Sequence, residues 1–175
     1  MELLLPGELG ERLRAWSLAA LPEEACGLLL GRQAPAASAG PARTEVLEAV
    51  LARNLAAERR ADLYEVHPED FLAADRRAAA LGLEIVGVWH SHPDSPGRPS
   101  ATDLERAWPG WSYVIVGWAA AGARELRSWR LTERPGQAPE FAEERLLSPA
   151  GPAPDRASPA LPFHPPAPAP VARAI

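Results

Sequence analysis

The chain contains no lysine, and arginine supplies all 18 of its basic side chains. It therefore offers no side-chain amine to which another protein could be attached. The single cysteine, Cys26, excludes an internal disulfide, and its apolar neighbours predict a buried thiol rather than a nucleophile. One cysteine also excludes the paired-cysteine zinc site of the nucleobase deaminases.

Long hydrophobic runs and clusters of positive charge are absent as well. No apolar stretch reaches the ~18 residues of a membrane-spanning helix, and the first residues lack the basic region of a secretory signal. The net charge of −5 argues against a nucleic-acid-binding surface, which needs clustered basic residues. These absences predict a cytoplasmic protein that binds neither a membrane nor a nucleic acid.

The length of 175 residues suits a single domain with one core. The composition changes from Ser148 onward, since residues 149–175 hold nine prolines among 27 residues, together with many alanines. A segment of this composition cannot bury a core. We therefore predict a folded domain over residues 1–147 and a disordered Pro/Ala-rich tail over residues 148–175.

Hydrophobic periodicity in residues 1–147 predicts an alternation of strands and helices. Strands are expected at residues 3–5, 25–30, 45–51, 63–66, 83–89, 111–118, 125–131 and 141–147. Helices are expected at residues 7–21, from His67 to Leu81, and from Ser100 to a residue before Pro109. This mixture indicates an α/β fold.

The most informative stretch follows Gly82. An apolar segment predicts a buried strand that runs into His90-Ser91-His92-Pro93. Side chains alternate along a strand, so His90 and His92 are expected on the same side and Ser91 on the other. Two imidazoles placed in this way can share one metal ion, and two of the four histidines in the chain are these.

Asp103 is the nearest carboxylate with a structural reason to approach the same ion. Three prolines stiffen the loop after His92, and Ser100 is typical of a helix N-cap with Asp103 in the first turn. The loop can therefore aim Asp103 back at the histidines. Two imidazoles and one carboxylate suit zinc and leave a fourth position for water, which is typical of a catalytic zinc site.

Each feature also has an ordinary interpretation. A His-x-His pair is more often a surface feature than a metal site, and Ser-x-x-Asp is most often only a capping box. A glutamate at the start of a strand, such as Glu24, is usually solvated. His67 is expected at a helix start and is not assigned to the metal. The joint spacing of the features is what favours a metal site.

This spacing resembles the signature of the JAMM, or MPN-plus, metalloproteases. The signature is His-Ser/Thr-His-Pro, six residues, Ser, two residues and Asp, with a glutamate far upstream, and residues 90–103 match it without a gap. Upstream, Pro22-Glu23-Glu24-Ala25-Cys26-Gly27-Leu28 resembles the family's Pro-x-Glu-x-Cys-Gly-Leu block. That alignment selects Glu24, not Glu23, as the functional glutamate. The resemblance covers about residues 1–147.

The resemblance implies a single-domain MPN/JAMM fold, which is deaminase-like, with a mixed curved sheet flanked by helices. It implies one zinc ion (Zn2+) held by His90, His92 and Asp103. Glu24 would be the general base, and Ser100 would stabilise the oxyanion of the tetrahedral intermediate. Family members cleave amide or isopeptide bonds after the C-terminal glycine of ubiquitin-like proteins.

Only seven residues separate Asp103 from Trp111, which is too few for an added lid. In this respect the chain is similar to the small bacterial and archaeal members of the family. We therefore expect a ubiquitin-like or sulfur-carrier protein as substrate, joined through its glycine to a cysteine or a lysine. Two alternatives stay open at this point: a protein-binding scaffold of the same fold without metal, and a zinc amidase of small molecules. The oligomeric state is open too, a homodimer included.

An extended substrate tail could add to an exposed strand edge and be held by backbone hydrogen bonds. Residues 53–60 and the strand before His90 are the two edges that we expect for this role.

Overall fold

A computed structural model describes residues 1–36, 41–56, 59–119 and 122–148. The chain forms seven strands and three helices in this part. The strands are β1 (Glu2–Leu4), β2 (Cys26–Ala34), β3 (Arg43–Ala52), β4 (Glu84–Ser91), β5 (Ser112–Trp118), β6 (Arg124–Thr132) and β7 (Glu140–Leu147). The helices are α1 (Gly7–Ala19), α2 (Pro68–Ala80) and α3 (Ala101–Glu105).

The strands form a closed barrel in the order β1-β3-β2-β4-β5-β6-β7. The predicted mixture of directions is confirmed, because β1 runs parallel to β3 and β7, and β4 runs parallel to β5, whereas the other neighbours are antiparallel. The predicted curved sheet is wrong in one respect, since the observed sheet closes on itself and has no edge strands among the described residues. Strand β1 closes it by pairing on both of its edges, at Leu3 with Thr44 and with Leu146.

Helices cover two different faces of the barrel. Helix α1 packs on one apolar cluster, where Trp16 stacks on Trp89 with ring centroids 5.5 Å apart. Helix α2 packs through Ala74 and Ala78 on a second cluster. The continuous apolar run of β2 serves both clusters, with Leu29 in the first and its neighbours in the second. This is why its sequence shows no alternation of polar and apolar residues.

One predicted strand is missing from the structure. Residues 63–66 do not form a strand, and only an isolated bridge joins Asn54 to Val66. Helix α3 ends at Glu105, before Pro109 as predicted, and Trp108 N beyond it donates a hydrogen bond to the Tyr113 hydroxyl at 2.6 Å.

The two predicted substrate edges are also largely occupied. Strand β4 lies between β2 and β5 and has no free edge over residues 87–90. In the other candidate, Arg53 O accepts a hydrogen bond from His67 N, and Leu55 N donates to Glu65 O. The expectation that either edge is open was therefore wrong over these residues, since pairing within the chain already uses their backbone groups.

The predicted tail falls almost entirely outside the described residues, so the division at residue 148 stays a prediction. Within the described ranges, no helix combines the length and the apolarity that crossing a membrane requires. The predicted cytoplasmic location and the oligomeric state also stay untested.

Candidate metal centre and active site

The two histidines of the motif lie side by side, as predicted. His90 is near the end of β4, His92 follows the strand, and their Nε2 atoms are 3.2 Å apart. The Nδ1 atom of His92 lies 2.8 Å from the carbonyl oxygen of Pro96. Because a carbonyl only accepts, Nδ1 carries the hydrogen, and Nε2 of His92 presents a lone pair toward His90. Burial, followed by the neighbouring His90, lowers the pKa of His92 and keeps its ring neutral.

Asp103 turns back toward the histidines, as the predicted N-cap requires. Ser100 and Asp103 form a reciprocal capping box at the start of α3, in which Ser100 Oγ accepts from Asp103 N at 3.1 Å. The Asp103 carboxylate accepts from Ser100 N at 2.6 Å and from Ser100 Oγ at 2.7 Å. Its Oδ1 lies 3.5 Å from His90 Nε2, and its Oδ2 lies 3.9 Å from His92 Nε2.

The ionisation of Asp103 suits a metal ligand. Burial by itself raises the pKa of this carboxyl. Hydrogen bonds from His90 and Ser100, together with the charge of His90, outweigh burial and hold the pKa well below its usual range. Asp103 is therefore a carboxylate at neutral pH although it is only 7% exposed.

These three side chains present donor atoms that all lie within 4.8 Å of one another, and all three are buried. Two imidazole nitrogens and a carboxylate oxygen that converge in this way can share one cation, and this donor set fits zinc. The second ring nitrogen differs between the histidines. His92 Nδ1 is held by Pro96 O, whereas His90 Nδ1 has no hydrogen-bond partner among the described residues.

Glu24 lies at the side of this cluster, two residues before the start of β2. Its Oε1 is 4.0 Å from His92 Nε2, and the residue is 6% exposed. Its backbone is fixed on both sides, since Glu24 N donates to Arg60 O at 2.5 Å and Asn54 Nδ2 donates to Glu24 O at 3.2 Å. Burial raises the pKa of Glu24 to about 7, so the carboxyl can gain or lose a proton near neutral pH.

The five predicted residues thus come together, and four of them line one cleft. This cleft has a volume of about 150 Å³ and contains Glu24, His92, Ser100 and Asp103 in its wall, with Asp62 and Asp94 among its further lining residues. A second, mainly apolar cleft of about 300 Å³ continues from it at Thr102 and Asp103. Trp108, which is 60% exposed, stands in the wall of the second cleft.

Three side chains around the ligands carried no signal in the sequence. The Tyr64 ring stacks on His90 with centroids 4.4 Å apart, and burial raises its pKa well above the usual value. Trp118 and Arg124 donate hydrogen bonds to the carbonyls of Pro93 and His92. All three reach the site from distant segments, so no local pattern could have marked them.

Two residues were predicted to have no role in catalysis or metal binding, and both lie where the sequence predicts. Cys26 is fully buried, and burial raises its pKa to about 12, which excludes a thiolate nucleophile near neutral pH. His67 is the N-cap of α2, where its ring accepts a hydrogen bond from Glu69 N.

A family model described as prokaryotic homologs of the JAB domain matches residues 6–132. The desampylase of Haloferax volcanii is 43% identical over 95 residues, which are 54% of this chain and 62% of that protein. The chain thus spans less than two thirds of the length of this relative. The CysO-cysteine peptidase of Mycobacterium tuberculosis is 31% identical over 113 residues, which are 64% of this chain and 70% of that protein.

A solved structure shows a similar fold. The solution structure of a protein from Desulfitobacterium hafniense superposes with a TM-score of 0.66 and is 30% identical in sequence. The similarity covers 85% of this chain and 92% of the other. The matched residues of the family model include all five residues of the candidate site.

Proposed function

Because the chain belongs to the family of prokaryotic homologs of the JAB domain, we propose that it is a zinc-dependent peptidase or isopeptidase. Its reaction is the hydrolysis of the amide bond after the C-terminal glycine of a ubiquitin-like or sulfur-carrier protein. The resemblance to the JAMM metalloproteases is confirmed by the family match. The observation that carries the proposal is the convergence of three buried metal donors, two of which line one cleft together with a buried glutamate.

The substrate class is supported by the relatives. One is a desampylase and another is a CysO-cysteine peptidase. We therefore propose two substrate types for this chain, a carrier joined to a lysine and a carrier that bears a C-terminal cysteine.

His90, His92 and Asp103 would hold the zinc ion through two imidazole nitrogens and one carboxylate oxygen. When bound, zinc polarises a carbonyl oxygen and lowers the pKa of water, which makes water a nucleophile near neutral pH. The chain orients its own ligands for this task, since the Pro96 carbonyl fixes the tautomer of His92 and the Ser100 groups fix the Asp103 carboxylate.

Glu24 moves the proton. Its carboxylate takes a proton from the attacking water and later gives it to the amine that leaves the glycine. A carboxyl with a pKa of about 7 is suited to both transfers, because it is neither a strong acid nor fully protonated at neutral pH.

Ser100 supplies a hydrogen bond to the oxyanion that forms at the scissile carbonyl. In the structure its hydroxyl donates to Asp103 Oδ2 at 2.7 Å, so the hydroxyl hydrogen must rotate away from Asp103 to serve the substrate. The backbone hydrogen bond of the capping box does not need this hydrogen, because there Ser100 Oγ accepts. Capping and oxyanion stabilisation are therefore compatible.

The two alternatives make different demands on the site. A scaffold without metal needs neither the convergent donors nor a buried base, and this chain has both. A small-molecule amidase needs no protein substrate, and it would cleave short amides that lack a carrier domain. Both are outcomes of the experiment that follows.

The test is mass spectrometry of two carriers, one with a C-terminal cysteine adduct and one joined to a lysine, incubated with the zinc-loaded chain. We expect cleavage after the glycine by the wild type. Glu24→Gln should lose at least about 100-fold in kcat because the general base is removed, while it still binds zinc. The matched control is Glu23→Gln, which changes the neighbouring exposed glutamate and should leave the activity unchanged.

The proposal fails if Glu24→Gln cleaves as fast as the wild type. It also fails if the wild type binds zinc and cleaves neither carrier. In that case cleavage of a short glycyl amide would indicate the amidase, and binding of the carrier without cleavage would indicate the scaffold.

A further inference from the structure

The loop that follows β4, residues 92–97, is fastened along the end of β5; we call it the ligand loop because it begins with His92. His92 N donates a hydrogen bond to Val116 O at 2.9 Å, and Trp118 N donates to Ser95 O at 3.0 Å. Between them, Gly117 has no side chain, and a Cβ there would overlap the backbone of Pro96 and Gly97. The loop therefore lies directly against the backbone of β5.

Two side chains from the β5–β6 hairpin hold consecutive carbonyls of this loop. Arg124 Nη1 donates to His92 O at 2.8 Å, and Trp118 Nε1 donates to Pro93 O at 2.5 Å. The Arg124 guanidinium also stacks on the Trp118 ring, with its carbon 4.3 Å from the ring centroid. The two side chains thus form one unit, because each limits the movement of the other.

This unit and the His92 ring act on the same short segment. The ring is tied to the far end of the loop through Nδ1 and Pro96 O, while the backbone of His92 is tied to Arg124 and to Val116. The position of the Cα atom and the orientation of the ring are therefore both determined. The Nε2 atom consequently points at His90 and Asp103.

We propose that Arg124, stacked on Trp118, is a positioning residue that holds His92 in the geometry for metal binding. The inference rests on the proposed function only in that His92 is a metal ligand. Arg124 itself does not line the candidate cleft, so it acts through His92 and not on the substrate.

The remaining donors of Arg124 distinguish this role from ordinary stabilisation. Its Nε and Nη2 atoms are buried and have no hydrogen-bond partner among the described residues. Buried donors without a partner reduce stability, so Arg124 holds the ligand loop at a cost in the free energy of unfolding. Its role in placing the His92 ring accounts for that cost.

The same strand offers a matched control. Arg127 of β6 stacks on Trp129 with its guanidinium carbon 4.7 Å from the ring centroid, which resembles the Arg124–Trp118 pair. It donates its hydrogen bonds to Glu143, at 2.8 and 2.6 Å, and not to the ligand loop. Trp129 Nε1 donates to Gly97 O at 2.9 Å, at the end of the ligand loop away from His92. Loss of Arg127 therefore removes a stacked arginine without removing a hydrogen bond to His92 or Pro93.

The experiment measures the zinc affinity of the full chain by competition with a chromogenic chelator, for Arg124→Met, Arg124→Lys and Arg127→Met. We expect Arg124→Met to bind zinc about 10- to 100-fold more weakly, as substitutions behind a metal ligand do. Arg124→Lys should recover part of this loss because it retains a cationic donor, and Arg127→Met should bind like the wild type. The absorption spectrum of the Co²⁺-substituted protein should change only for the Arg124 variants.

Two outcomes overturn the inference: Arg124→Met binds zinc as tightly as the wild type, or Arg127→Met weakens binding equally. If Arg124→Met fails to fold, Trp118→Phe keeps the ring and removes the hydrogen bond to Pro93. Weaker zinc binding by that variant supports the inference, and unchanged binding overturns it. A wild type that binds zinc but cleaves no carrier would instead overturn the proposed activity.

Discussion

Ser91, between the two histidines of the motif, links the metal donors to the glutamate. It lies on the opposite face of β4, where its Oγ accepts a hydrogen bond from Ala25 N at 2.9 Å. The backbone adds a second link, since Ser91 N donates to Ala25 O at 2.9 Å. Because Ala25 directly follows Glu24, these two hydrogen bonds set the distance between Glu24 and the metal donors. Ser91 does this although its side chain points away from the metal site.

We therefore expect Ser91→Ala to affect both stability and rate. The substitution leaves the buried Ala25 N–H without its acceptor, which costs about 1–3 kcal/mol in the free energy of unfolding. Displacement of Glu24 should lower kcat with little change in KM, because the substrate contacts are retained. Urea unfolding and steady-state kinetics measure the two effects.

Ser91→Thr is the control for that prediction, since threonine retains the hydroxyl at the same position. It should stay close to the wild type in both measurements. If the alanine and threonine variants behave alike, the hydroxyl has no role in placing Glu24.

At the scale of elements, the end of β5 must admit the ligand loop. Glycine is the only residue type that fits at position 117, because a Cβ there would overlap the Pro96 carbonyl carbon and Gly97 N. These are backbone atoms of a loop held by several hydrogen bonds, so they cannot move aside independently. The strand and the metal-binding loop therefore form one packed unit.

Gly117→Ala should accordingly reduce the free energy of unfolding by about 1–3 kcal/mol through overpacking. It should also weaken zinc binding, because the loop that carries His92 is displaced. The matched control is Gly7→Ala, where an added Cβ would meet only Ser148 Oγ at an ordinary 3.5 Å. Chemical unfolding and zinc competition test both variants, and a Gly117→Ala protein that matches Gly7→Ala in both would contradict this packing argument.

At the scale of the whole molecule, β1 closes the barrel, and a glutamate on β1 forms ion pairs with both neighbouring strands. Glu2 Oε2 is 2.9 Å from Arg43 Nη2 on β3, and Oε1 is 2.6 Å from Arg145 Nη2 on β7. The hydrogen bond from Arg43 lowers the pKa of Glu2 most strongly, and the charge of Arg145 adds to the effect over the opposing influence of burial. The ion pairs at the barrel closure therefore include a carboxylate whose charge is lost at low pH.

The pH dependence of stability follows from that shift. A depressed pKa means that the carboxylate stabilises the folded state above its ordinary pKa of 4.5, and this contribution is lost as the pH falls through the lower folded value. Glu2→Gln should therefore lower Tm at neutral pH, and the difference from the wild type should shrink as the pH drops below 4.5.

Glu133→Gln, which changes an exposed glutamate, is the control for thermal unfolding over the same pH range and should show no such convergence. A Tm difference for Glu2→Gln that stays constant through the acid range would show that the ion pairs do not contribute to closure.

The sequence by itself determined the candidate donor set and most of the elements. The common side of His90 and His92 follows from strand alternation, and the return of Asp103 follows from the N-cap at Ser100; both are relations between neighbouring residues. Glu24 was identified only through the spacing that the chain shares with a family. The catalytic roles of these residues stay predictions that the variants above can test.

Only the tertiary structure decided the rest. Pairing of β1 on both edges, which turned a predicted curved sheet into a closed barrel, joins residues more than 140 positions apart, as Glu2 and Arg145 show. The attachment of Arg124 to His92 and of Ser91 to Ala25 likewise depends on strand register. Local periodicity reports which side of an element faces the core, whereas register and closure depend on partners that the local pattern does not contain.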